Sequence, residues 1–131
     1  MKPTALLCLI MVVLFAACQS KPSPEEAVAA LPVGNPANGA ELFHQSIDGA
    51  PSCASCHALD SSRLVGPGMA GYGERAATRV DGESAEVYTY HSITTPAAYL
   101  VAGYSNLMYT EYSRKLDDQQ LADLIAFLLQ Q

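Results

Sequence analysis

The chain is poor in positive charge: 7 Lys and Arg stand against 13 Asp and Glu in 131 residues. Nucleic-acid binding needs clustered cations, so that class of partner is excluded. No apolar stretch reaches the roughly 20 residues that a membrane-spanning helix requires. There is no tryptophan, no internal repeat, and no run of alternating apolar and polar residues that would read as strands. The absence of strand patterning leaves an all-α domain, and the length suits one domain only.

What is present begins with an export signal. Lys2 supplies a positive start, and residues 6–17 form an apolar run of 12 residues, the size of a secretory h-region. Ala16 and Ala17 then precede Cys18. The string Leu14-Phe15-Ala16-Ala17-Cys18 resembles the lipobox of bacterial lipoproteins, with Phe15 where Leu is usual. That resemblance implies that Cys18 becomes a lipidated mature N-terminus; ordinary cleavage near Ala17 is the alternative. Residues 1–17 are therefore expected to be a signal peptide. Residues 18–33, polar and broken by Pro22 and Pro24, read as a flexible membrane tether. Without Lys2 the chain keeps 6 basic residues against 13 acidic ones, a net of −7. Such a surface suits either solubility after export or docking to a basic patch.

Residues 53–57 read Cys53-Ala54-Ser55-Cys56-His57. This is the C-x-x-C-H pattern of covalent haem attachment. Two thiols at this spacing add to the two vinyl groups of one haem, and the histidine that follows reaches the iron. A thioredoxin-like dithiol would need a βαβ setting, which is missing. A zinc site would need further ligands, and only His44 and His91 are left over. With Cys8 in the signal, Cys18 at the mature N-terminus and Cys53 and Cys56 on haem, no cysteine of the four remains for a structural disulfide.

The remaining pattern is helical. Asn35 as N-cap and Pro36 at the first helical position open a helix. Residues 27–31 suggest one further turn. Residues 64–73, with four Gly and one Pro, read as irregular chain. Residues 84–95 predict a helix that Pro96 ends. Residues 97–102 suggest a short helix and residues 103–114 a loop. Asp117 and Gln120 form a capping box for a last helix, in which Leu121, Leu124, Ile125 and Leu128 make one apolar stripe.

Residues 36–130 resemble the class I, mitochondrial-type cytochrome c family, in its small bacterial monohaem form. Gly39 and Phe43 match the glycine and aromatic of that family's first helix, which crosses the last helix near Leu124 and Phe127. Val65-Gly66-Pro67 matches the element whose proline carbonyl accepts a hydrogen bond from the ligand histidine. Ser105-Asn106-Leu107-Met108 falls where the family keeps its second axial ligand. The resemblance implies a cytochrome c domain over residues 34–131, with N- and C-terminal helices crossing around one covalent haem c. It further implies His57 and Met108 as axial ligands, with Pro67 orienting His57. The chain departs from the pattern in a longer segment between Phe43 and Cys53, and in Tyr109 where many relatives have proline.

Other candidates stay open. Met69 competes with Met108, but it lies so close to Pro67 that the chain has little length to reach the opposite haem face. His91 is an outside candidate for the distal position, and His44 is expected at the surface. Arg75 and Arg79 could each neutralise a haem propionate. The 7 tyrosines could line the pocket. The expected function is electron transfer without substrate turnover, between redox protein partners at a bacterial membrane reached through the lipid at Cys18. Neither a small-molecule substrate nor nucleic acid is expected. The alternatives are a haem subunit of a larger respiratory complex, a haem peroxidase or a gas sensor.

Overall fold

The computed structural model of the protein describes residues 21–131; the signal peptide read over 1–17 and the acceptor Cys18 lie outside the described residues. Six α-helices follow one another: α1 Pro24–Ala30, α2 Pro36–His44, α3 Tyr72–Ala76, α4 Ala85–Thr94, α5 Tyr112–Lys115 and α6 Asp118–Leu128. One turn of 3₁₀ helix, Cys53–Ser55, lies between α2 and α3. Among the described residues there is no strand, only an isolated bridge between Ile47 and Ala50. The all-α expectation holds.

The frame is the crossing of α2 and α6. Asn35 caps α2 by accepting from the Ala37 N–H at 3.0 Å, and Pro36 loses no hydrogen bond at the first position. Asp117 and Gln120 close α6 with both bonds of the capping box, at 2.8 and 3.0 Å. The two helices approach backbone to backbone. A Cβ at Gly39 would lie 2.0 Å from the Asp123 carbonyl oxygen and 2.7 Å from Cβ of Phe127. A Cβ at Gly34 would meet the Ala122 carbonyl oxygen at 2.2 Å. Phe43 packs beside the contact, its ring centroid 5.6 Å from that of Phe127. Leu124 and Phe43 are each only 1 % exposed.

A charge is sealed into this crossing. Asp123 is 3 % exposed. Its carboxylate accepts from the Asn35 N–H at 2.6 Å, the Gln119 amide at 2.8 Å and the Asn38 amide at 3.4 Å. Burial pushes the pKa up, but these donors together outweigh it and hold the carboxyl below its ordinary 3.8. A depressed carboxylate pKa contributes stability above the unfolded value and loses it as pH falls through the folded one. Asp123→Asn turns one acceptor into a donor among donors. It is expected to cost about 1–2 kcal/mol at pH 7, and the gap from the parent should narrow below pH 3.8. Denaturant unfolding of both holoproteins at neutral and acid pH measures this.

Four local expectations are corrected. The stretch read as a flexible tether over 18–33 is helical at Pro24–Ala30, two turns against the single turn expected. Pro24 starts this helix, and Ser23 with Glu26 completes a capping box. The helix packs against α4. Residues 97–102 form turns instead of a helix, with Ala98 N–H to Thr95 carbonyl at 2.8 Å and Tyr104 N–H to Val101 carbonyl at 3.0 Å. Their apolar side chains, Leu100 and Val101, instead border a cleft. The loop expected over 103–114 gives way to α5, because Tyr112 is buried and its hydroxyl donates to the Pro51 carbonyl at 2.7 Å. The irregular chain expected through Gly73 ends at Gly71, whose φ of 68° caps α3. Helix α3 is tied to α4 by Tyr72 Oη donating to Thr89 Oγ1 at 3.1 Å, which in turn donates to the Ala85 carbonyl at 2.7 Å.

Candidate functional site

Between these helices lies a cleft with about 1070 Å³ of space free of protein atoms, counted out to its open mouth. Its lining is mostly apolar. Phe43, Met69, Ile93, Leu124 and Leu128 bring core surface into it. Cys53, Cys56, His57, Pro67 and Met108 border the same cleft. The sequence spacing is thus matched by convergence in space.

Local structure explains the placement of the first three. The 3₁₀ turn Cys53–Ser55 brings the Cys56 N–H to the Cys53 carbonyl at 3.1 Å and the His57 N–H to the same oxygen at 3.0 Å. Both thiols are free and half-buried. Burial pushes the Cys53 thiol up to about 11, so it stays neutral, unlike the thiolate of a dithiol oxidant or a zinc ligand. No group of three or more His, Cys, Asp or Glu converges among the described residues as a zinc centre would require.

His57 is fixed by two neighbours. Its Nδ1 lies 2.9 Å from the Pro67 carbonyl oxygen, which can only accept, so Nδ1 carries the proton. Nε2 is left with a free lone pair. Burial lowers the pKa of this imidazole, with the Pro67 carbonyl acting in the opposite direction. The neutral ring is the form that binds a metal. Gly66 closes on the ring: a Cβ there would lie 2.3 Å from Cε1 of His57. The Gly66 N–H is held by the Cys56 carbonyl at 2.9 Å. Sequence reasoning credited the proline of this pair with orienting His57; the glycine's clearance of the ring emerges only in three dimensions.

Both candidate methionines border the cleft. Met69 is 6 % exposed, and its N–H is held by the Ala58 carbonyl at 2.8 Å, next to His57. Met108 arrives on a separate stretch, residues 101–108. Of the tyrosines, Tyr72, Tyr88, Tyr99, Tyr104 and Tyr112 border the cleft. Burial pushes Tyr72 up to about 12 and raises Tyr112 further. Arg75 and Arg79 are not among the residues bordering the cleft. The Arg75 guanidinium donates to the Gly68 carbonyl at 2.9 Å and to that of Ala70, bracing the glycine-rich loop. His91 lies in a different, smaller hollow, with Nδ1 3.0 Å from Glu83 Oε1. His44 is exposed, edge-on to Phe43.

An apolar cleft with two thiols and an imidazole on its wall fits a flat iron macrocycle attached through sulfur. These features define a small all-α domain that holds a haem by covalent bonds. The family model for cytochrome c matches residues 36–131, and the chain belongs to the cytochrome c family. No curated protein matches the chain. Membership brings one covalent c-type haem for a domain of this length, haem-based electron transfer, and redox proteins as partners. Domains of this family typically work outside the cytoplasm. Among the described residues no helix is long and apolar enough to cross a membrane.

Proposed function

We propose that the protein is an electron carrier whose haem is bound by thioether links to Cys53 and Cys56, with His57 and Met108 as the axial ligands. It is exported, anchored to a bacterial membrane through lipid at Cys18, and exchanges electrons with redox proteins there without turning over a substrate. The observation that carries this reading is the single cleft that both thiols, His57 and Met108 border together, with His57 Nδ1 held by the Pro67 carbonyl. The bound haem supplies a one-electron iron couple.

The chain's own residues do the rest. The Pro67 carbonyl holds the Nδ1 proton, which orients the ring and raises the basicity of Nε2. Met69 is held beside Ala58 on the His57 side, which supports Met108 as the ligand from the opposite side. A thioether stabilises the reduced iron and raises the potential. Phe43, Leu124 and Leu128 exclude water, which disfavours the more highly charged oxidised centre.

Purified holoprotein is expected to show a positive midpoint potential and a weak far-red band from methionine bound to ferric iron. Met108→Ala should abolish the band and lower the potential by about 0.2 V, within the ≈ 0.8 V range that axial ligands span. Retention of both would rule Met108 out as a ligand. The intact mass of the same preparation should equal that of residues 18–131 plus one haem and the lipid on Cys18.

A further inference from the structure

One side chain ties the segment between His57 and Pro67 to the stretch that carries Met108. Arg63 lies between His57 and Pro67, on the imidazole side. Its guanidinium donates to the Gly103 carbonyl, 40 positions away in the chain, and its Cζ lies 4.0 Å from the centre of the Tyr104 ring. Tyr104 and Met108 belong to one continuous stretch that borders the cleft. That stretch has few other ties. Its own backbone bonds are short turns, Tyr104 N–H to Val101 and Leu107 N–H to Ser105. Leu107 is 67 % exposed. Among the described residues no other side-chain hydrogen bond reaches residues 101–108, and Arg63 forms no ion pair despite the excess of acidic groups.

We infer that Arg63 is a positioning residue, a latch that holds residues 101–108 against the imidazole-bearing wall and sets how often Met108 leaves the iron. The inference rests on Met108 being the second ligand. A planar guanidinium can donate to a carbonyl and lie on a ring at the same time, whereas an ammonium cannot do both with the same geometry. For an external ligand to reach the iron, the 101–108 stretch must first move away. Loss of a charge-assisted hydrogen bond and a cation–π contact at an exposed site corresponds to about a tenfold rise in the open population.

Imidazole binding to the ferric holoprotein, followed by stopped-flow absorbance, reads that opening. Arg63→Ala is expected to bind imidazole about tenfold faster than the parent, Tyr104→Leu and Arg63→Lys at intermediate rates, and Tyr104→Phe at the parent rate. Backbone amides of residues 101–108 should exchange faster in Arg63→Ala, with those of α2 and α6 unchanged. If the Arg63→Ala rate stays within about twofold of the parent, a spread smaller than the contacts predict, the latch is overturned. If Met108→Ala leaves the far-red band intact, it is the ligand assignment that has failed. The latch is then decided by amide exchange alone: faster exchange over 101–108 sustains it and unchanged exchange refutes it.

Discussion

Gly39→Ala should cost the holoprotein more than about 4 kcal/mol and lower its melting temperature by roughly 20 °C. The added methyl would sit 2.0 Å from the Asp123 carbonyl oxygen. That atom is backbone inside α6, so it cannot rotate away as a side-chain tip would. Relief requires moving α6 off α2, which strips contacts from Phe43, Leu124 and Phe127 together. It also pulls the Asp123 carboxylate away from the Asn35 N–H that it meets at 2.6 Å. The damage therefore combines overpacking with a buried charge losing a donor, two of the mechanisms that give large destabilisation. Thermal unfolding followed by far-ultraviolet circular dichroism measures it. A variant as stable as the parent would mean that the helices do not touch as described.

Replacing Cys53 and Cys56 together by serine should abolish covalent pigment. The exported chain is expected to weigh one haem less than the parent, and any haem that enters the cleft should extract into acidic organic solvent. Serine hydroxyls do not form thioethers, while the 3₁₀ turn and the placement of His57 depend on backbone bonds that the change leaves in place. The variant thus separates covalent attachment from cleft formation. Pigment that resists extraction from the double variant would show that other atoms make the link. Loss of the link should also lower stability, since domains of about this size lean on a cofactor or staple when their own core is small.

Much of this molecule could be read before its coordinates, and the reason is locality. The capping box of Asp117 and Gln120, the Asn35-Pro36 start of α2 and the five-residue attachment string each lie within a few positions of chain. Their physics is written in adjacent letters. What escaped reading depends on residues far apart in sequence. Asp123 looks like one more surface acid until the Asn35 N–H, 88 positions away, is seen to point at it. Nothing near Tyr112 in sequence announces the Pro51 carbonyl that anchors it, so the sequence alone predicts a loop there. The clearance Gly66 gives the His57 ring, the grip of Arg63 on residues 103 and 104, and the choice among the tyrosines belong to the same class. Pro24 works in the other direction: as a proline it suggests a break, yet its place directly after the Ser23 cap makes it a helix start.

The docking of α1 changes how far this carrier can travel. With residues 18–33 fully flexible, the globule would roam over tens of ångströms. Because Pro24–Ala30 is helical and held against α4, lipid at Cys18, as proposed, would lie within at most about 20 Å of chain from this docked helix. Anchored in that way, the domain would stay close to the bilayer. Its electron donors and acceptors would then have to present their own cofactors near the headgroups, and a partner with a tall soluble stalk would hold its redox centre out of reach.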